Sequence, residues 1–372
     1  MKWVNLGDIT KIRTGRLNAN AADQDGEYPF FTCSVDPLKI DQYSYDCECV
    51  LVAGNGDLNV KYYNGKFDAY QRVYIIESNN NEKYRVKYLY YFLKGYVQIL
   101  RDNSIGGVIK YIRLGDLENA RIPALSIDEQ DKIIDILQQS EAIISKRKQQ
   151  IEALSSLKQS LFLDMFGDPY SNNKQWSTGR IGELTSSTQY GSSKKADENI
   201  GEYPILRMSN ITYEGNMDLS DLKYIDLNEK DKEKHLVYQD ELLFNRTNSR
   251  ELVGKTGVYN GDEPVAFAGY LIKLIPNEKA NTRFISGYLN SVYGKKILFN
   301  MAKNSIGMSN INAKELRMIR IYTPPIELQN KYAETILEID KKEKLLKKGL
   351  QQLNVLFNAL SQKAFNGELF ND

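Results

Sequence analysis

Three cysteines, Cys33, Cys47 and Cys49, and one histidine, His235, are the side chains best suited to metal or nucleophilic chemistry. Their spacing supports neither. Cys47 and Cys49 form a Cys-x-Cys without a second pair, which leaves a four-ligand zinc site half built. An odd cysteine count fits a reducing compartment better than a disulfide framework, and Cys47 and Cys49 are expected as strand residues on one face. His235 closes the charged stretch Asp231–His235 and is expected as a solvated surface residue. A single histidine excludes a multi-histidine metal centre. Gly254-Lys255-Thr256 is the tail of a phosphate-binding loop whose opening glycine is replaced by Ser249. Gly54-Asn55-Gly56 reads as a turn fragment. Asp168-Pro169-Tyr170 lacks one proline of an Asp-Pro-Pro-Tyr catalytic motif and follows Gly167, a helix stop signal. No catalytic residue, metal site or cofactor is expected in the chain itself, and weight shifts to recognition.

The elements that would position such a surface are written twice. Trp3-x-x-Leu6-Gly7-Asp8-Ile9-Thr10 reads like Trp176 followed by Ile181-Gly182-Glu183-Leu184-Thr185. Gly26-Glu27-Tyr28-Pro29 recurs as Gly201-Glu202-Tyr203-Pro204, at the interval that separates Leu6 from Ile181. Asn103-Ser104-Ile105-Gly106 recurs as Asn304-Ser305-Ile306-Gly307, and Ile122, Ile127 and Gln130 as Ile321, Ile326 and Gln329, at a longer interval. The second copy therefore carries a longer middle. Each copy opens with strand-like sequence rich in Gly, Tyr and Asn and closes in a long helix that starts after proline, with Asp128 or Glu327 in its first turn.

The helices are predicted to end near Phe166 and Phe365, each roughly 57 Å long at the α-helical rise. Tyr332, Ile339, Leu346, Leu353 and Leu360 recur every seventh residue, interleaved with Ile336, Glu343, Leu350, Phe357 and Ala364. The first helix offers Ile133, Ser140, Arg147, Leu154 and Leu161 with Leu137, Ile144, Ile151, Lys158 and Met165. Alternating steps of four and three describe a coiled-coil seam. The expected seam residues are Leu137, Ile144, Ile151, Leu154, Leu161, Ile339, Leu346, Leu350, Leu353, Phe357 and Leu360. The polar members Ser140, Arg147, Lys158 and Glu343 weaken the seam and are candidates for setting its register. Shared phase and length favour two helices paired antiparallel over each packing on its own lobe alone.

Composition sets the outer limits. The 372 residues suggest two or three domains, and 26% charged with 42% hydrophobic residues is ordinary globular usage. No apolar run approaches the ~18 residues of a membrane span, and the N-terminus lacks signal-peptide order, so a cytoplasmic location is expected. Forty-nine basic against 48 acidic residues leave a net charge of +1, which argues against a strong stand-alone binder of nucleic acid. The lysine-rich run Lys341–Lys348 reads as a solvated helix face.

Two variable lobes, each followed by a similar long helix, resemble the specificity (S) subunit of type I restriction–modification enzymes. The resemblance spans the chain and rests on the junctions Ile122-Pro123 to Gln130 and Pro324-Pro325-Ile326-Glu327-Leu328-Gln329. It also rests on the helix ends Leu157–Asp168 and Leu356–Leu369, and on Tyr203–Ile211 and Glu251–Lys255 in the second lobe. The implied fold is mixed α/β (α+β), with a pseudo-twofold internal repeat. Two target recognition domains, 1–126 and 168–325, are separated by two long antiparallel coiled-coil helices, 127–167 and 326–372. The resemblance implies a non-catalytic chain whose lobes each read half of a bipartite target in double-stranded DNA. The helices set the unread spacer and bind two modification (methyltransferase) subunits, which carry S-adenosylmethionine and methylate adenine. A translocating restriction subunit can join them.

Base readout calls for Arg or Lys against guanine and Asn or Gln against adenine, carried on loops. In the first lobe the candidates are Asn55, Asn59, Lys61, Arg72, Lys110 and Tyr111. In the second they are Arg207, Ser209, Asn210, Arg246, Asn248, Ser249, Lys255, Ser309 and Asn310. The competing readings are a stand-alone DNA-binding regulator, which should be basic, and a scaffold whose lobes bind proteins, which should co-purify with no methylating partner.

Overall fold

The computed structural model describes residues 2–302 and 307–369. Asn304, Ser305 and Ile306 of the second Asn-Ser-Ile-Gly copy lie outside them. The chain forms two compact units, 1–148 with 347–372, and 149–346. Neither unit ends where its long helix begins, because the helix's first turns complete the core of the lobe before it.

The first unit runs β1 (Trp3–Asn5), α1 (Leu6–Ile9), β2 (Thr10–Thr14), β3 (Tyr28–Phe31), β4 (Leu38–Ile40), β5 (Tyr45–Ala53), β6 (Val60–Ala69), β7 (Val73–Ser78), α2 (Val86–Asn103), α3 (Leu114–Glu118), β8 (Arg121–Pro123) and α4 (Ile127–Phe166). Six strands form one sheet in the order β2-β7-β5-β6-β3-β4. Its neighbours are antiparallel except β3 and β6, where Phe30 lies opposite Asp68 in parallel register. Strand alternation sorts the side chains. Val50, Val52 and Ile76 join Leu89, Phe92 and Leu93 of α2 on one face. Cys49, Leu51, Phe67 and Ile75 pack with Phe31 and Tyr45 in a second cluster. Cys47 and Cys49 lie on β5, as expected, and Cys33 follows the end of β3. The chain has left β3 there in a turn where Thr32 Oγ1 accepts from Ser34 N at 3.3 Å.

The second unit follows α4 with β9 (Thr178–Arg180), β10 (Thr185–Tyr190), β11 (Tyr203–Leu206), β12 (Lys223–Ile225), α5 (Glu229–His235), β13 (Leu236–Val237), β14 (Leu242–Asn245), β15 (Thr247–Asn248), β16 (Thr256–Val258), β17 (Val265–Phe267), β18 (Leu271–Pro276), α6 (Thr282–Asn290), α7 (Val292–Met301), β19 (Ser309–Asn310), α8 (Ala313–Met318), β20 (Arg320–Tyr322) and α9 (Ile326–Asn366). Here the sheet is split into β10-β18-β14-β16 and β12-β11-β17-β13. β13 with β14 stand where the first lobe has β5, and β16 with β17 where it has β6. The parallel pairing survives as Ile205 opposite Ala266. His235 is half-buried at the end of α5, its Nδ1 3.2 Å from Tyr190 O.

The repeat is clearest where lobe meets helix. β1 pairs with β8 and β9 with β20, both antiparallel, closing each lobe at the start of its helix. Thr10 Oγ1 donates to Leu6 O and Thr185 Oγ1 to Ile181 O, each at 2.6 Å. Gln130 and Gln329 are fully buried and make the same three bonds. Gln130 accepts from Arg85 N at 2.9 Å and donates to Lys83 O and Leu125 O. Gln329 accepts from Asn281 N at 2.9 Å and donates to Lys279 O and Pro324 O. Each glutamine ties the start of a long helix to the segment leading into the preceding lobe helix, satisfying backbone groups that burial would otherwise strand.

In each unit the two long helices meet, and partners climb one helix as they descend the other. In the second unit Lys158 reaches Asp340 and Glu343, while Phe162 and Phe166 meet Tyr332. In the first unit the Arg147 guanidinium lies against Gly349, while Ile133 and Leu137 share a cluster with Ala364 and Phe365. Of the expected seam residues, Leu137 and Ile339 are buried. Ile144, Ile151, Leu154, Leu161, Leu346, Leu350, Leu353, Phe357 and Leu360 are half-buried. The helices also dock on the lobes: Phe166 packs edge-on against Phe284, and Phe365 against Phe92. Pairing and lobe docking thus coexist. Gly167 ends α4 at φ +80°, its N bonded to Leu163 O, and Asp168 caps the turn that follows through Tyr170 N and Ser171. Among the described residues no helix is long and apolar enough to cross a membrane.

Candidate nucleic-acid interface

The first lobe gathers its candidate residues at one end of the sheet, where the β5–β6 loop, the β6–β7 turn and the hairpin between α2 and α3 meet. Asn55 bridges Tyr111, Gly56 N donates to Lys110 O at 3.1 Å, and Gly54 N donates to Arg72 O at 2.7 Å. Arg72, Lys110 and Tyr111 are exposed and Asn55 is half-buried. Asn59 faces inward: its Nδ2 donates to Cys33 O at 2.8 Å and to Asp57 O, and its Oδ1 accepts from Lys61. Burial holds the Lys61 ammonium below the usual lysine range, against the pull of Cys33 and Asp36. Arg72 and Lys110 are therefore the cations at this end that project outward, while Asn59 and Lys61 brace the loop.

The second lobe repeats the arrangement with other donors. β15 pairs with β19, setting Thr247 opposite Asn310 and Asn248 opposite Ser309, as Asn55 meets Tyr111 in the first lobe. Arg246 lies with its guanidinium 4.9 Å from the Tyr190 ring centroid and 3.4 Å from Asn310 Oδ1. Its Nε is buried and meets no acceptor among the described residues. Tyr190, which sequence reasoning missed, is the platform that orients this fork; the available signal was an aromatic at the end of a strand beside a basic loop. Asn310 Nδ2 donates to Thr247 Oγ1 at 2.8 Å. Asn248 accepts from Ser249 N, and Ser309 is buried.

Three second-lobe candidates make contacts within the lobe. Arg207 pairs with Asp221 at 2.8 Å. Asn210 is buried, accepts from Arg207 N, and donates to Asp218 O and Asp221 O. Lys255 donates to Met208 O at 2.8 Å, and burial depresses its pKa. Ser209 is exposed beside them. An open groove of about 560 Å³, lined by Arg180, Lys314 and Arg317 together with Glu183, was also missed, because its cations come from distant segments. Ala313 of its wall donates to the Tyr190 hydroxyl at 3.0 Å. Among the described residues, no group of three or more His, Cys, Asp or Glu is placed to hold a metal.

A family model described as the type I restriction modification DNA specificity domain matches residues 1–153 and again 173–355. The chain belongs to that family. As a specificity chain it is the recognition component of a restriction–modification system and not its catalyst. It is 27% identical over 405 residues to the EcoDI type I restriction enzyme specificity subunit of Escherichia coli, covering 99% of this chain and 88% of that one. In fold it is similar to the type I S subunit of M. genitalium, with a TM-score of 0.64 and 18% identity over 98% of this chain and 96% of the other. A chain from a structure of type I complex assembly and conformational transition aligns with a TM-score of 0.57 and 17% identity, over 99% and 98% of the two chains.

Proposed function

We propose that each lobe of this specificity chain reads one half of a bipartite duplex target. The observation that carries this reading is the twofold recurrence of one loop junction. Asn55 against Tyr111 and Thr247 against Asn310 occupy the same place in the two lobes, and each junction gathers Arg and Asn side chains. Arg72 and Lys110 in the first lobe, and Arg246, Asn248, Ser249 and Asn310 in the second, are the residues assigned to base edges and phosphates. Asn59, Lys61, Arg207, Asn210 and Lys255 hold those loops in place.

The paired helices set the unread spacer between half-sites and dock two modification subunits. Leu157 and Leu356 support this role, since they occupy corresponding positions of the two helices and are 48% and 55% exposed. Two equivalent apolar contacts suit two identical partners. S-adenosylmethionine belongs to those partners, the methylated base is adenine, and the complex works in the cytoplasm, with restriction subunits joining it. A net charge of +1 fits a chain that grips DNA only with its partners.

The test is co-expression with a modification subunit, followed by single-molecule mapping of methylated adenines in host DNA. A two-part motif with a fixed unread spacer is expected. An intact complex that leaves no new methylation would refute the reading.

A further inference from the structure

The hairpin between α2 and α3 carries an apolar tip that the fold does not use. Ile105 N donates to Tyr111 O at 3.0 Å and Tyr111 N to Ile105 O at 2.8 Å, closing a loop whose outer end is Gly106-Gly107-Val108-Ile109. Val108 is fully exposed and Ile109 is 62% exposed. Holding two aliphatic side chains in water is unfavourable unless something covers them in the working complex. The tip is also built to be narrow. Gly106 adopts φ +122°, and a Cβ there would lie 2.4 Å from Ile109 O. Around Gly107 there is open space.

The base of the hairpin is fixed. Gly56 N donates to Lys110 O, Asn55 bridges Tyr111, and Ile112 N donates to Gly54 O at 3.0 Å. The tip therefore projects from the same junction that carries Asn55 and Arg72, with exposed Lys110 next to it. Two aliphatic side chains between glycines and a lysine match a base step, which is apolar on the faces of its bases and anionic at its flanking phosphates. A flat protein surface would call for a broader contact.

We propose that Val108 and Ile109 form a wedge that enters a groove of the duplex bound by the first lobe and unstacks one base step, with Lys110 on the flanking phosphate. This rests on the reading that the lobe binds DNA. The wedge adds a contact to base faces, independent of the hydrogen bonds that name the bases, and makes the deformability of that step part of the recognition.

The test uses the complete methylating complex and duplexes carrying its mapped motif. 2-Aminopurine replaces, one at a time, adenines in and beside the first half-site, leaving out the methylated ones. The wild-type complex should raise fluorescence at a single step. The V108S/I109S variant should abolish that signal and bind about tenfold more weakly, from the loss of two apolar contacts. K110A should keep the signal and flatten the salt dependence of binding. Wild-type complex that binds the motif without unstacking any step would overturn the wedge. So would a double variant that binds and unstacks normally, or one that instead loses its partner subunits. A wild-type complex that does not bind its mapped motif would sink the DNA reading itself, and the wedge with it.

Discussion

Lys158→Met probes the ion cluster that locks the two helices in the second unit. The lysine Nζ lies 2.6 Å from both Asp340 Oδ1 and Glu343 Oε2, and 3.2 Å from Asn216 Oδ1. The Lys158, Asp340 and Glu343 side chains are only 16%, 17% and 5% exposed. Asp340 keeps a second cation, since Arg283 Nη1 lies 2.9 Å away and bridges on to Asp240. Glu343 loses its lysine in a buried setting. Removing one member of such a group costs about 3–5 kcal/mol, and the surviving Arg283 places this case near about 3. For a unit of this size that lowers Tm by roughly 6–12 °C. Replacing both charges, in K158M/E343L, should restore most of the loss, because an apolar substitute for a whole buried pair is often neutral. Thermal unfolding followed by circular dichroism reads both variants. A K158M protein within about 2 °C of wild type, or a double variant as unstable as the single, would refute the argument.

The same lysine has a pH signature. Burial disfavours its charged form, yet Asp340 and Glu343 hold its pKa above the usual lysine range. A folded pKa above the unfolded one gives stability that is whole below about pH 10.4 and lost as pH rises through the folded value. The Tm advantage of wild type over K158M should therefore shrink in strong alkali and be constant between pH 6 and 9, about the range where lysine stays charged.

Gln130→Leu and Gln329→Leu should each cost about 2–4 kcal/mol, since each strands one backbone N–H and two carbonyls; hydrogen exchange should rise at Arg85 in the first case and Asn281 in the second. Phe166→Ala should open a cavity beside Phe284 and Tyr332 and cost about 3–5 kcal/mol, seen as a lower urea midpoint. Arg246→Ala should relax the second half of the methylation motif at one position, by about 1–3 kcal/mol of discrimination, and leave the first half unchanged.

The frame was legible because its signals are periodic or repeated. The seven-residue rows identified helices that the structure places at Ile127–Phe166 and Ile326–Asn366, and the pairing of Gln130 with Gln329 marked residues that make equivalent bonds. The polar seam members proved less alike than their spacing suggested. Ser140 returns its hydroxyl to Ile136 O, whereas Lys158 and Glu343 meet each other across the helices. The splitting of the second sheet went unread, although Asn260-Gly261-Asp262-Glu263-Pro264 between β16 and β17 is a turn-forming stretch. The loop residues were hardest. Arg207 and Arg246 each follow an apolar strand and look equivalent in sequence. One is neutralised by Asp221, an acidic residue distant in the chain, and the other lies over Tyr190. What each arginine meets is decided by long-range contacts that no local pattern encodes.

The two lobes differ in a way that follows from where their repeat is kept. At the helix junctions the threonine and glutamine bonds recur with nearly the same lengths, because the same residues stand at the same places where each lobe meets its long helix. At the loop ends only the backbone bridge recurs. The side chains change from Asn55, Arg72 and Lys110 to Arg246, Asn248 and Asn310, and the second lobe gains the length that breaks β5 and β6 into β13–β14 and β16–β17. A fixed rear frame lets the front loops diverge without disturbing the helix pairing. On the function proposed above, lobes built this way would take two unlike half-sites. Exchange of the first lobe's loop end should then alter one half of the motif and leave the spacer untouched.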